Sequence, residues 1–261
     1  MTGKILFFDI DGTLWDIHNR IPESTVRSIR RARDNGHKIF LNSGRSRGFI
    51  FHPALFDIGL DGIVSACGTM IEYEGKTIFK YVIPAEQAER TVSMVRSYGF
   101  KAILEGAEYL YMEVEEFKDD IFGQKVIGEM GDKLKGILDH WGKWEMQKFS
   151  CATLTDRKEE CFEKLREDYD LLIHSPTVAE MVPRGFHKGT GIQKVCELLS
   201  ADIKNTVAFG DSVNDLDMLH AAGTSVAMGN GMVEAKEAAD YVTAPLWEDG
   251  IEKALIHLGL I

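Results

Sequence analysis

Short, unbroken apolar runs recur along the chain, each closed by polar or acidic residues. Ile5 to Phe8 is the first and ends at Asp9; Lys38 to Leu41 runs into Asn42; Asp61-Gly62-Ile63-Val64 and Thr206 to Phe209 repeat the form, and Val226 to Gly229 follows. Runs of this length without polar alternation suit strands buried on both faces of a parallel sheet. Helical periodicity lies between them. Pro22-Glu23-Ser24 opens a helix in which Val26, Ile29 and Arg33 share a face, with Arg27, Arg30 and Arg31 towards solvent and Asn35-Gly36 as the stop. Ile192, Val195, Cys196 and Leu199 keep the i, i+3, i+4, i+7 spacing of another helix, and Leu216 to Ala222, Val233 to Ala239 and Gly250 to His257 supply more. Ile71 to Ile78 alternates around Gly75 and reads as a hairpin. The fold class predicted is α/β, a doubly wound, Rossmann-like parallel sheet.

The order changes over 84–182, where an inserted α+β domain is predicted. Ala88, Val92 and Val95 fall on one helical face closed by Gly99; Lys101 to Leu104 and Tyr109 to Val114 are antiparallel strands around Gly106. A polar, Gly-interrupted helical stretch is expected from Phe117 to His140, then a strand from Met146 to Leu154 and a helix from Arg157 to Asp168. Leu171 to His174 and Val178 to Val182 close as a strand pair, giving a sheet covered by helices on one face. Residues 1–83 and 183–261 then form the core domain. Tyr109, Tyr111 and Trp144 stand at strand spacing, which is first of all core spacing.

Composition sharpens this picture. The chain has 261 residues, 44% hydrophobic, enough for one large domain or two modest ones. A formal net charge of −11 argues against nucleic acid and anionic membranes as partners, because both require a basic face. Cys67, Cys151, Cys161 and Cys196 show no C-x-x-C spacing and read as free thiols in a reducing compartment. No apolar run approaches the ~18 residues of a membrane span and no leader precedes the first strand, so the cytoplasm is the expected location.

The candidate chemistry sits where the apolar runs end. Asp9 and Asp11 emerge at the carboxyl end of the first strand, the edge at which open α/β sheets hold ligands. If the strand geometry runs on through Asp9, both acids share a face. Two adjacent carboxylates raise one another's pKa unless a cation lies between them. An oxygen-only ligand set favours Mg²⁺, and a solvated Asx turn is the plain alternative. Thr206 to Phe209 delivers a second acidic cluster, Gly210-Asp211-Ser212-Val213-Asn214-Asp215, to the same edge, since the strands before Asp9 and Asp211 are expected to be neighbours. Lys188 stands at a helix N-terminus, where the macrodipole disfavours a cation unless an anion is bound. Ser43 offers a hydroxyl and Gly44 an approachable N–H. No H-E-x-x-H or paired His spacing occurs, so zinc is not expected.

Asp9-Ile10-Asp11-Gly12-Thr13 resembles the first motif of the haloacid dehalogenase (HAD) superfamily. Ser43-Gly44-Arg45 resembles its second motif, Lys188 its third and Gly210 to Asp215 its fourth, and the long insertion points to the Cof-type branch with a type IIB cap. The resemblance implies a Mg²⁺-dependent phosphomonoester hydrolase of a small phosphorylated metabolite, sugar phosphates foremost. In it Asp9 is the nucleophile that forms an aspartyl-phosphate and Asp11 the general acid and base. Ser43, Gly44, Arg45, Lys188 and Asn214 bind substrate; Asp9, Asp11 (through its backbone carbonyl), Asp211 and Asp215 serve the metal, Asp215 either through water or as an orienting group. Residues 14–21 would be a flap over the nucleophile and 84–182 the cap that selects the leaving group. A phosphomutase using the same intermediate, or a phospho-metabolite binding protein without turnover, are the alternatives. One departure stands out: relatives commonly carry Asn-Gly-Ala where this chain has Cys67-Gly68-Thr69.

Overall fold

The uninterrupted apolar runs form strands buried on both faces in a computed structural model that describes residues 3–261. In chain order, the first stretch holds β1 (Ile5–Phe8), α1 (Glu23–Asp34), β2 (Lys38–Asn42), α2 (Pro53–Asp57), β3 (Gly62–Ser65), β4 (Met70–Tyr73) and β5 (Lys76–Lys80). The middle holds α3 (Ala85–Ser97), β6 (Lys101–Glu105), β7 (Leu110–Tyr111), α4 (Ile121–Met130), β8 (Leu134–Lys135), β9 (Lys148–Ala152), α5 (Lys158–Leu165), β10 (Tyr169–Ser175) and β11 (Val178–Pro183). The last stretch holds α6 (Lys188–Leu198), β12 (Thr206–Gly210), α7 (Leu216–Ala221), β13 (Thr224–Ala227), α8 (Val233–Ala238), β14 (Tyr241–Val242) and α9 (Gly250–His257). The chain divides into two compact units. One comprises the residues up to Gly44, Phe51–Lys80 and His187–Ile261; the other comprises Tyr81–Phe186 together with the short segment Arg45–Ile50.

In the first unit an eight-stranded sheet runs β14-β13-β12-β1-β2-β3-β4-β5, parallel from β14 to β3 and finished by the antiparallel β4–β5 hairpin. β1 lies between β12 and β2, with Phe8 level with Phe209 on one side and Leu41 on the other. Residues just past these three strands therefore meet at one sheet edge. On one face, Phe7, Phe40 and Val64 pack with Ile192 and Val195 of α6 and Met218 and Leu219 of α7. The helix α1 departs from the expected pattern: its buried side is Ser24, Thr25, Ser28, Ile29 and Ala32, while Arg33 is exposed and reaches Asp61 at 3.0 Å. Three of those buried side chains carry hydroxyls, so a count of apolar residues places the face wrongly.

In the second unit a six-stranded sheet runs β10-β11-β9-β6-β7-β8, antiparallel except between β7 and β8. Helices α3 and α5 cover one face through Val92, Val95, Phe162 and Leu165 against Leu104, Phe149, Cys151 and Met181. Tyr111 and Trp144 belong to that core, with Tyr109 packed against it. The Gly-interrupted helical stretch expected over 117–140 holds the three-turn α4, begun where the Asp120 carboxylate accepts from the Gly123 N–H at 2.8 Å and ended at Gly131, whose φ is +49°, and it also contains the short strand β8. Helix α4 packs through Val126 and Met130 on a cluster that includes Ile103 and Ala152. Those two alternate with Leu104 and Cys151, so helices lie on both faces rather than one. The same face as Ile103 carries a buried polar group: Lys148 Nζ lies 3.2 Å from Glu105 and 3.0 Å from Glu180, and Ser150 Oγ donates to Glu105 at 2.6 Å. All four cysteines are buried and none is in a disulfide, and no helix among the described residues is long and apolar enough to cross a membrane.

Candidate active site

The Asp9 N–H donates to the Phe209 carbonyl at 3.0 Å, continuing the β1–β12 ladder one residue past the strand. Two residues after Phe7, its side chain lies on the face covered by α6. There the chain supplies its own cation. Lys188 is the first residue of α6, behind His187, which caps the helix reciprocally with Thr190. Its Nζ lies 2.6 Å from Asp9 Oδ1, 2.6 Å from Asp215 Oδ1 and 3.4 Å from Asn214 Oδ1, three oxygens for three ammonium protons. These carboxylates answer the cost of a cation at a helix N-terminus.

Asp215 is fully buried and saturated: Oδ1 takes the ammonium, and Oδ2 accepts the N–H groups of Asp211 at 2.8 Å and Ser212 at 3.1 Å. It thereby shapes the turn that presents Asp211. The Asp211 carboxylate accepts from Thr13 Oγ1 at 3.1 Å, and its backbone carbonyl from the Met232 N–H at 2.7 Å. Gly12 fits against it for lack of a side chain: a Cβ there would lie 2.4 Å from Asp211 Oδ2, and its φ is +86°. Asp11 is exposed, and its Oδ1 accepts from Trp15 Nε1 at 2.9 Å. Trp15 is buried against His52, and the 11–15 turn is closed by the Gly12 N–H on the Trp15 carbonyl. Ser43 is buried at the end of β2, its N–H on the Val64 carbonyl at 2.9 Å and its carbonyl taking the Cys67 N–H at 3.1 Å.

The residues singled out from sequence thus distribute unevenly. Asp9, Lys188, Asn214 and Asp215 form one hydrogen-bonded cluster, and Asp211 adjoins it; Asp11 is set apart by its bond to Trp15, and Ser43 and Gly44 end β2. Arg45 begins the segment that groups with the second unit. Sequence reasoning passed over Asn42 and Thr13 as participants and left Trp15 without a role. A tryptophan four residues after Asp11 in a polar stretch was the available signal; Asn42 carried none, since its partner lies 146 residues away.

Burial and mutual repulsion govern the charges of the cluster. Burial, reinforced by Asp215, pushes the Asp9 carboxyl well up, against the pull of Lys188. Burial would lower the Lys188 ammonium, but Asp215 and Asp9 outweigh it and hold it charged. Burial and Asp215 push Asp211 up to about 6, with the Thr13 hydroxyl opposing. One oxygen from each of Asp9, Asp211 and Asp215 lies within 4.8 Å of the others. Fully ionised, these three carboxylates exceed the one ammonium by two negative charges, and an all-oxygen donor set of that charge fits a hard divalent cation.

A family model described as haloacid dehalogenase-like hydrolase matches residues 6–255. YkrA of Bacillus subtilis (strain 168), a phosphatase by name, is 34% identical with all of both chains covered. The 5-amino-6-(5-phospho-D-ribitylamino)uracil phosphatase YcsE of the same organism is 28% identical over 97% of this chain and 95% of its own. Among solved structures, the HAD subclass IIB sugar phosphatase BT4131 superposes with a TM-score of 0.83 at 29% identity, covering 99% of this chain and 100% of that one.

Proposed function

This chain belongs to the haloacid dehalogenase-like hydrolases and is a phosphatase of phosphorylated small molecules; we propose that it is a Mg²⁺-dependent phosphomonoesterase in which Asp9 is the nucleophile. The observation that carries this reading is the buried Asp9 carboxylate held at 2.6 Å by Lys188 at a parallel-sheet edge, with Asp11 two residues on. Asp9 attacks phosphorus and the alkoxide leaves, giving an aspartyl-phosphate that water then hydrolyses. Asp11 is exposed, and the Trp15 indole holds its carboxyl in a fixed direction. It gives a proton to the leaving oxygen and takes one back from the attacking water. Lys188, Asn214, the Ser43 hydroxyl, the Gly44 N–H and Arg45 bind the non-bridging oxygens, where charge must be stabilised. Mg²⁺ held by Asp9, Asp211 and the Asp11 carbonyl, with Asp215 behind them, would supply the charge that offsets the phosphate anion.

We assign selection of the leaving group to the inserted unit as a cap, and a polyhydroxylated phosphate ester as the substrate class. The support is that two of the three named relatives are named for a phosphate carried by such a group, a sugar in one and a ribityl chain in the other. The net charge of −11 supports a small-molecule partner over nucleic acid or an anionic membrane. Phosphate release from p-nitrophenyl phosphate and a panel of sugar and sugar-alcohol phosphates, with Mg²⁺ and with EDTA, tests the reading. Mg²⁺-dependent release is expected, and Asp9→Asn should abolish it while the circular dichroism spectrum is kept. Turnover retained in that variant would remove Asp9 as nucleophile; an isomerised sugar phosphate without free phosphate would make the enzyme a mutase.

A further inference from the structure

Two residues in succession that carry side chains, Ala66 (φ +47°) and Cys67 (φ +55°), adopt the left-handed backbone region just after β3, and Gly68 (φ +93°) follows them. Each non-glycine residue there is strained, and such strain persists only where the surroundings impose it. What imposes it here is visible on both sides of the turn. On one side the Cys67 N–H donates to the Ser43 carbonyl at 3.1 Å. On the other, Gly68 lies against the first turn of α6, so that a Cβ on it would come within 3.2 Å of Gly191 N, Gly191 Cα and the His187 carbonyl. Gly191 is matched in turn, since its own Cβ would run to 2.6 Å from Val64 Cγ1. The turn is braced from within by Thr69, whose Oγ1 donates to the Ala66 carbonyl at 3.0 Å.

Asn42 reinforces the same joint from β2. It is fully buried, and its Nδ2 donates to the Lys188 carbonyl at 3.0 Å and reaches Met218 Sδ at 3.4 Å. Its Oδ1 is buried with no hydrogen-bond partner among the described residues. An unsatisfied buried oxygen is costly, so what keeps an amide at this position is its donor on Lys188. The residue is also the immediate neighbour of Ser43.

We propose that Asn42 and the left-handed turn Ala66–Gly68 are positioning residues for phosphate binding, a clamp that fixes the separation between Ser43 at the end of β2 and Lys188 at the start of α6. The proposal rests on the phosphatase reading only in what the two gripped residues bind; the clamp itself is a statement about this chain's geometry. None of its members touches the phosphate. They act through Ser43 and Lys188, whose spacing must match that of two oxygens on one phosphoryl group, and misplacement of order 1 Å costs up to ~100-fold in rate.

The test compares Asn42→Leu, which removes the donor and keeps the branching of the side chain, and Gly68→Ala, which drives a methyl against α6, with Val95→Ala in the second unit as a destabilised control. Three quantities are read: the melting temperature, the KM for p-nitrophenyl phosphate with the Ki for inorganic phosphate, and amide hydrogen exchange over 187–192. In both clamp variants KM and Ki should rise about tenfold and exchange should quicken locally at 187–192. Val95→Ala should lower the melting temperature and leave all of these as in the wild type. Folded clamp variants with wild-type Ki and wild-type exchange would overturn the proposal. If the wild type releases no phosphate from any ester, the phosphatase reading fails, and phosphate binding by calorimetry with the exchange data still decides the clamp. Should Gly68→Ala not fold, Asn42→Leu and Cys67→Val carry the same comparison.

Discussion

Cys67 pays for its position with a backbone conformation that asparagine tolerates far better than other side chains of its size. Replacing it by Val, apolar but β-branched and so less tolerant of this backbone region, should destabilise the protein by about 1 kcal/mol and lower the melting temperature by roughly 2 °C. A scanning calorimetry trace showing an unchanged melting temperature for Cys67→Val would remove the strain account. At this scale the sequence was legible where a residue's chemistry is local. Asp9, Asp11, Asp211 and Asp215 draw notice as acids that follow apolar runs, but it is the resemblance of the whole motif set that singles them out, and Lys188 at its helix start is selected by that resemblance alone. Asn42 and Thr13 were not legible. Asn42 meets Lys188 and Thr13 meets Asp211 across 146 and 198 residues, and no spacing rule reaches that far.

Among elements, the strands of the first unit were read closely and the helices less so, for a physical reason. A strand buried on both faces must be apolar throughout, whereas the buried side of α1 sets Ser24, Thr25 and Ser28 beside Ile29 and Ala32, so apolar positions alone do not mark it. Within the interrupted helical stretch expected over 117–140, the two-residue strand β8 escapes notice because it is too short to carry a strand period. The sheet of the second unit offers a prediction of its own. Burial works to raise the Glu180 carboxyl, but the Lys148 ammonium and His174 outweigh it and hold it down at about 2, against an ordinary value of 4.5. A depressed carboxyl contributes stability that is present above its unfolded pKa and lost as pH falls through the folded one. The contribution is therefore complete above about pH 5, amounts to about 3 kcal/mol, and disappears towards pH 2. Urea unfolding of wild type and Glu180→Gln at pH 6 and pH 3 should show the wild type losing about 2 kcal/mol more than the variant. Equal losses would mean that the Lys148 pairing does not depend on the charge of Glu180.

For the whole molecule, two cores of separate composition imply that unfolding is not a single transition. The acidic cluster belongs to the first unit alone, so Mg²⁺ at 100 times its dissociation constant should stabilise that unit by ~2.7 kcal/mol. Calorimetry with and without Mg²⁺ should then show one component shifting upward and the other staying in place. A single transition that moves as one would show the units to be thermodynamically coupled.

The position of β1 in the middle of the first sheet also bears on how the chain is made. Its partner on one side, β2, ends at residue 42, but its partner on the other, β12, begins only at residue 206. During synthesis at ~5–20 residues per second, the Ile-Leu-Phe-Phe strand therefore waits roughly 8–33 s with one edge unpaired. Over that interval the inserted unit is completed while the catalytic sheet is still open. The nascent protein carries this apolar strand with an open edge until nearly the last fifth of the chain emerges, so ribosome-bound intermediates in which β12 has not emerged should be bound by chaperones, and those in which it has cleared the ribosome should be released.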